Sequence, residues 1–271
     1  MDNRPIGVFD SGLGGLTALR ALRAFLPDEN IVYFADTGRM PYGEKTRPQL
    51  RRMAEEDLRF LSSFDVKAIL VACGTLSSNA GDILDSWPVP TTGVLHPSAD
   101  WLRRLDSPGP IAVIATEASI RSGSYQRTLQ EALPETEILA VPCPDFVPLI
   151  ESGHTRPDDP VLTDAVRRYL TPARERGARS LLLGCTHYGI IEAALRQFLG
   201  PDVRFSSVAE SGAAALCAGL LKRGQTGGSG TIRYFTSGSA ADFSEMASRF
   251  LQCDPSAVPA EAVRANPVPA V

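Results

Sequence analysis

Ala68-Ile69-Leu70-Val71-Ala72-Cys73-Gly74-Thr75 and Leu181-Leu182-Leu183-Gly184-Cys185-Thr186-His187 decide how this chain is read. Each is a short apolar run that ends at a cysteine and passes into a turn carrying a threonine. Short apolar runs bounded by turn residues mark buried strands, parallel ones above all. In open α/β sheets, ligands bind just beyond the carboxyl ends of such strands. The two runs therefore predict two thiols at two ligand-binding positions.

The pattern extends outward from these runs. Ile6–Phe9, Ile31–Ala35, Ala68–Ala72, Val89–Leu95, Ile111–Ala115, Glu137–Val141, Ser180–Leu183, Val203–Phe205 and Thr231–Phe235 also read as strands. Amphipathic stretches separate several of them. Leu16–Leu26 ends at Pro27, and Pro48–Phe64 is introduced by Thr46 as its cap. Asp158–Arg176, Tyr188–Leu199 and Ala241–Leu251 look similar. Strands alternating with helices predict βαβ units and a mainly parallel sheet. Each half also has an earlier strand running into a polar loop, Val8-Phe9-Asp10-Ser11-Gly12 and Val113-Ile114-Ala115-Thr116. This weak repeat predicts two similar Rossmann-like α/β lobes with the active site in the cleft between them. The expected first lobe holds 1–95 plus 208–252, and the second 96–207. The tail, 253–271, is rich in Pro and Ala and is expected to be disordered.

The chain has 271 residues, of which 44% are hydrophobic and 21% charged, as in a globular protein with a sizeable core. Its net charge is −4, and its Lys and Arg are scattered, so no nucleic-acid footprint is expected. Charged and polar residues follow Met1, and no apolar run approaches the ~20 residues of a membrane span. Five cysteines without paired spacing fit a reducing cytoplasm better than a disulfide framework.

The loops carry the chemistry. Asp10-Ser11-Gly12-Leu13-Gly14-Gly15 joins a strand to a helix, and its free N–H groups suit a phosphate or a carboxylate. Thr17 stands where a dinucleotide fingerprint needs its third glycine, and no Gly-Lys-Ser/Thr follows as in a P-loop. A tight turn capped by Asp10 explains this loop as well as a site does. Pro41-Tyr42-Gly43 alone is an ordinary turn. One cysteine after an apolar strand is usually a small buried hydrophobe; two, each leading into a threonine turn, point to function. Two thiols facing one carbon from opposite sides can invert a stereocentre without a cofactor. A cation such as His187 would raise the thiolate fraction of a neighbour. The three histidines and five cysteines show no zinc spacing. A Cys–His–Asp hydrolase stays open on composition but leaves one cysteine unexplained. Glu151 alone reads as a solvated helix residue. Cys143, Cys217 and Cys253 read as structural.

Taken in order, Asp10-Ser11-Gly12-x-Gly14-Gly15, Pro41-Tyr42-Gly43, Ala72-Cys73-x-Thr75, Thr116, Pro148-Leu149-x-Glu151, Gly184-Cys185-Thr186-His187-Tyr188 and Phe235-Thr236-Ser237-Gly238 resemble the glutamate racemases of the cofactor-independent aspartate/glutamate racemase family. The resemblance covers roughly residues 5 to 252. It implies interconversion of L- and D-glutamate by two-base proton transfer without cofactor or metal, supplying D-glutamate for peptidoglycan. It implies Cys73 and Cys185 as the bases for the D- and L-enantiomers. Asp10 and His187 would assist them, with Glu151 near the second. Asp10, Ser11, Pro41, Tyr42, Gly43, Gly74, Thr75, Thr116, Thr186 and His187 would bind the substrate. A small molecule is the expected partner, with a homodimer left open and no nucleic acid or membrane.

One position departs from the pattern. The family usually has Asn between the first Cys and Thr, and Gly74 stands there. A backbone N–H, or Ser77, Ser78 or Asn79, is the expected source of the missing contact; Asn at 74 is expected to strengthen binding or raise turnover, whereas a pocket rebuilt around glycine would lose activity with Asn there. The departure keeps open a racemase acting on aspartate or a hydantoin. A non-catalytic amino-acid-binding protein is the other class, and it has no need of two thiols.

Overall fold

The structure, a computed structural model, describes residues 1–105, 109–251 and 253–263. In chain order the elements are β1 (Ile6–Asp10), α1 (Leu16–Phe25), β2 (Ile31–Ala35), α2 (Arg47–Ser62), β3 (Ala68–Val71), α3 (Gly74–Asn79), α4 (Gly81–Asp85), β4 (Thr91–Gly93) and α5 (Leu95–Leu105). There follow β5 (Ile111–Ala115), α6 (Glu117–Arg121), α7 (Ser124–Ala132), β6 (Ile138–Pro142), α8 (Phe146–Glu151), α9 (Pro160–Glu175), β7 (Ser180–Leu183), α10 (Glu192–Leu199) and β8 (Arg204–Ser207). The chain closes with α11 (Val208–Lys222), β9 (Ile232–Thr236), α12 (Ala240–Leu251) and β10 (Ala260–Ala262).

Two sheets result. One runs β10-β9-β2-β1-β3-β4 and the other β6-β5-β7-β8, with every pairing parallel. The order β2-β1-β3-β4 of the first is repeated as β6-β5-β7-β8 in the second. Each sheet thus has a switch point, between β1 and β3 and between β5 and β7, where such folds bind ligands. Cys73 follows β3 and Cys185 follows β7, so the two cysteines occupy equivalent positions.

Burial explains the apolar runs. β1, β2, β3, β5 and β7 are buried along their whole length, because helices cover both faces of each sheet. In β3, Ala68 and Leu70 pack toward Leu16, Leu19 and Leu220, while Ile69 and Val71 pack toward Leu50, Leu58 and Leu61. Cys73 continues the second series, as the two-residue period of a strand requires. In β7, Leu181 and Leu183 face the core under α9 and α10, and Cys185 extends that series.

Three local expectations are corrected. Only Thr91–Gly93 of the Val89–Leu95 run is strand, and Leu95 already opens α5. Pro97 sits in the first turn of that helix, where its missing N–H costs nothing. The helix expected over Tyr188–Leu199 is a 3₁₀ stretch, Thr186–Ile191, followed by α10. Part of the tail expected to be disordered is built into the fold. Ala260–Ala262 pairs with Tyr234–Thr236, and Val258 is buried. β10 covers the open edge of β9, an edge that would otherwise leave backbone groups unpaired. Residues 264–271 of that tail lie outside the described residues.

The doubly covered sheet makes one stability prediction. Leu182→Ala, at a fully buried position in β7, should lower unfolding free energy by about 2–5 kcal/mol. Val161→Ala, on the exposed surface of α9, should change it by no more than about 0.5 kcal/mol. Urea titration of the two variants checks the contrast, and equal losses would contradict the burial described here.

Candidate active site

Asp10, the last residue of β1, is wholly buried and organises the first loop. Its Oδ2 accepts the N–H groups of Gly12 (3.1 Å) and Gly15 (2.9 Å), so the Asp-Ser-Gly-x-Gly-Gly turn closes on its own carboxylate. Its Oδ1 accepts the hydroxyl of Thr186, 3.2 Å away beyond β7. Burial raises the Asp10 carboxyl above its ordinary range, while His187 and the backbone N–H groups of Gly12 and Gly15 oppose the rise. Glycine at position 14 permits the contact between the two halves. A Cβ there would lie 2.3 Å from Thr186 Oγ1 and 2.5 Å from His187 Nδ1.

Ser11, Pro41, Tyr42, Gly43, Cys73, Gly74, Thr75, Thr116, Cys185, Thr186 and His187 line one cavity between the two sheets. Met40, Glu44, Glu117, Pro144, Val147 and Pro148 complete its wall. Both cysteines are reduced. The Cys73 thiol donates to Ser11 Oγ at 3.8 Å. Burial pushes that thiol far up, and the charge of Asp10 adds to the rise. Cys185 Sγ lies 3.9 Å from His187 Nδ1, and His187 Nε2 lies 3.2 Å from Glu151 Oε1. Burial opposes charge on His187, but its bonds to Cys185 and Glu151 outweigh it and hold its pKa at about 10. His187 is therefore an imidazolium at neutral pH, next to one thiol and not the other.

Two of the expected residues stand outside the cavity wall. Asp10 lies beneath it, bonded to Thr186. Glu151 reaches His187 from behind, along a second groove that also contains Leu13, Thr17 and Arg20. Thr75 and Thr116 join the two halves through a 2.8 Å contact between their hydroxyls, and Thr116 is also 2.9 Å from Ser119 Oγ. Cys143 and Cys217 are buried outside the cavity wall, and Cys253 is exposed. Among the described lining residues there is no Lys or Arg; the polar side chains of the wall are the hydroxyls of Ser11, Tyr42, Thr75, Thr116 and Thr186, the imidazole of His187 and the carboxyls of Glu44 and Glu117.

Gly74 is not a simple vacancy. A Cβ at this position would stand 2.2 Å from the carbonyl oxygen of Gly184 and 2.8 Å from Tyr125 Oη. Tyr125 donates to that same carbonyl at 2.9 Å. The space is filled by backbone and by a bonded phenol. Nor do the neighbours replace the missing amide. Ser77 donates to Val71 O, Ser78 to Thr75 O, and Asn79 to Thr75 O, all turned inward and buried. These three side chains are engaged within their own turn, and Gly184 and Tyr125 stand where the side chain of an Asn at 74 would begin.

The cavity wall also contains residues that their sequence context did not mark. Met40, Pro144 and Val147 read as ordinary turn or core residues, and only their place after strand ends β2 and β6 could have singled them out.

Comparison with known proteins supplies the frame for this arrangement. Residues 17–216 match the Asp/Glu/Hydantoin racemase family. The glutamate racemase of Desulforudis audaxviator is 37% identical over 263 residues, covering 93% of this chain and 96% of the relative. A solved glutamate racemase from Bacillus anthracis superposes with a TM-score of 0.90 at 31% identity, covering 97% of this chain and 98% of that one. Another from Francisella tularensis, solved in complex with D-glutamate, also gives 0.90 at 32% identity, covering 99% of this chain and 100% of that one. With matches of this extent over both sheets and the cavity between them, the chain belongs to the Asp/Glu/hydantoin racemase family.

Proposed function

We propose that the protein is a glutamate racemase that interconverts L- and D-glutamate by proton transfer between two cysteines. The observation that supports this most is the single cavity lined by both Cys73 and Cys185, which end equivalent strands of the two sheets. The relatives that cover nearly the whole chain carry the glutamate racemase name, and one was solved with D-glutamate. In one direction Cys185 as thiolate takes the α-proton of L-glutamate, and the Cys73 thiol delivers its own proton to the opposite face. Cys73 as thiolate begins the reverse reaction. The electron pair left on the α-carbon is spread into the carboxylate during transfer.

The α-proton is weakly acidic, so positioning and a dry, preorganised site must supply most of the rate. Ser11, Thr75, Thr116 and Thr186, with adjacent backbone N–H groups, would hold the charged ends of the substrate. His187 Nδ1, 3.9 Å from Cys185 Sγ, stands where it can exchange a hydrogen bond with that sulfur during transfer. Asp10 acts through Thr186 and the turn it closes rather than by touching the substrate. The D-glutamate formed would serve peptidoglycan synthesis in the cytoplasm.

A circular-dichroism assay with D- and L-glutamate, and aspartate as control, tests the reading. Racemisation of glutamate alone is expected; turnover of aspartate alone would assign a different substrate. Cys73→Ser and Cys185→Ser should each abolish racemisation, because an alcohol is too weak an acid to supply the base. Each should keep elimination from one enantiomer of an analogue whose leaving group departs without reprotonation. Cys73→Ser should keep it for the L-form and Cys185→Ser for the D-form. Near-normal racemisation in either variant rejects the two-thiol mechanism.

Gly74→Ala and Gly74→Asn should both lower kcat/KM, by roughly five- to a hundredfold if the overpacking strain of about 1–3 kcal/mol falls on the transition state. The clash begins at Cβ, so both variants share its sign. A gain with Asn would mean that Gly184 and Tyr125 yield readily and that the amide is the missing contact.

A further inference from the structure

Three carboxylates converge where the chain leaves β2 and turns into the cavity wall. Asp36 follows β2, while Glu56 and Asp57 project from α2, and all three are buried. One guanidinium serves them. Arg39 donates Nε to Asp36 at 2.5 Å, one Nη to Glu56 and the other to Asp57. The Tyr42 hydroxyl donates to Asp36 and, at 3.1 Å, to Asp57. Ser237, just after β9, donates to Asp36 at 2.5 Å and accepts the N–H of Gly38 at 2.9 Å. From the outside, exposed Arg52 reaches Glu56 at 2.9 Å, and Lys45 faces the same outer groove.

Two consequences follow from this arrangement. The hydroxyl of Tyr42, a residue of the cavity wall, is bonded to Asp36 and Asp57 and so is engaged in the cluster. And Arg39, half-buried at the edge of the outer groove, is the one cation among the described residues that bonds all three buried carboxylates. Removing one partner of a buried ion pair leaves an uncompensated charge, which is strongly unfavourable. Burial pushes Asp36 and Asp57 above the usual carboxyl range, the charge of Asp36 adds to the rise at Asp57, and Arg39 opposes both. Meanwhile Gly43 abuts the other half of the site, so close that a Cβ on it would stand 3.2 Å from Thr116 Cβ.

We infer that Arg39 is a positioning residue for the substrate: by neutralising Asp36, Glu56 and Asp57 it holds Met40–Gly43 as a wall of the cavity against Thr116. Without it the three carboxylates repel one another, and the segment moves off the cavity unless a proton takes the place of the missing charge. A wall that touches substrate and transition state alike changes KM more than kcat. The kinetic readout rests on the racemase reading; the segment's order does not.

The test uses Arg39→Gln, Arg39→Lys and the double variant Arg39→Gln/Asp57→Asn in the full chain. At about pH 8, Arg39→Gln should raise KM for glutamate about tenfold, the size of one lost hydrogen bond to a charged group, with a smaller fall in kcat. The ratio of variant to unmodified KM should shrink as the pH is lowered. A carboxyl with a raised pKa then takes up its proton, and the relief disappears as pH rises through that pKa. Adding Asp57→Asn should restore KM at about pH 8. Arg39→Lys, which keeps the charge but not the fork, should fall between, and it carries the same test if Arg39→Gln does not fold. Hydrogen–deuterium exchange across residues 36–44 should quicken in Arg39→Gln and slow again in the double variant. An unchanged KM, or a defect that neither acid nor Asp57→Asn relieves, overturns the inference. If the unmodified protein does not racemise glutamate, the functional reading fails by itself, and exchange decides about Arg39: quicker in Arg39→Gln supports its role, unchanged overturns it.

Discussion

Everything at this site depends on how closely the carboxyl ends of two parallel sheets approach each other. Gly14 meets Thr186 and His187, and Gly74 meets the carbonyl of Gly184, at separations that leave no room for a Cβ. The Asp10–Thr186 and Thr75–Thr116 hydrogen bonds cross the same boundary. Because side chains are missing at these contacts, the residues following β3 and β7 come together backbone to backbone. Two cysteines that end equivalent strands then line one cavity instead of two.

The close approach has an electrostatic cost, and the two sides meet it differently. Around Cys73 stand a neutral hydroxyl and, below it, the carboxylate of Asp10, so burial keeps that thiol protonated. Beside Cys185 stands His187, held as a cation by the thiol in front and Glu151 behind. The two sulfurs thus have different neighbours: a hydroxyl and a buried carboxyl at Cys73, an imidazole at Cys185.

Much of this was legible in the sequence because parallel strands covered on both faces must be continuously apolar. Ile111–Ala115 and Ser180–Leu183 could scarcely be anything else, and a cysteine at the end of such a run sits where ligands bind. β10 was not legible: Ala260-Glu261-Ala262 has no β-branched or aromatic residue, and only the open edge of β9 makes it a strand. The Arg39 cluster was invisible for a different reason. Nothing in the sequence sets Asp36, Arg39, Glu56 and Asp57 apart from the chain's other charges, since such residues are rarely buried unless paired. Their pairing exists only after α2 packs on the sheet. Gly74 looked like a deletion of function and is instead a point of contact, which depends on Gly184, more than a hundred residues away in the chain.

The central claim is that two thiols act on opposite faces of one carbon. The most direct measurement is to run L-glutamate in deuterium oxide and read the α-position of substrate and product by NMR in the first few per cent of reaction. Two separate bases predict D-glutamate carrying deuterium at the α-carbon, while recovered L-glutamate keeps its original hydrogen. Deuterium entering recovered L-glutamate as fast as product forms, or product that retains the substrate's own α-hydrogen, would mean that one group serves both faces.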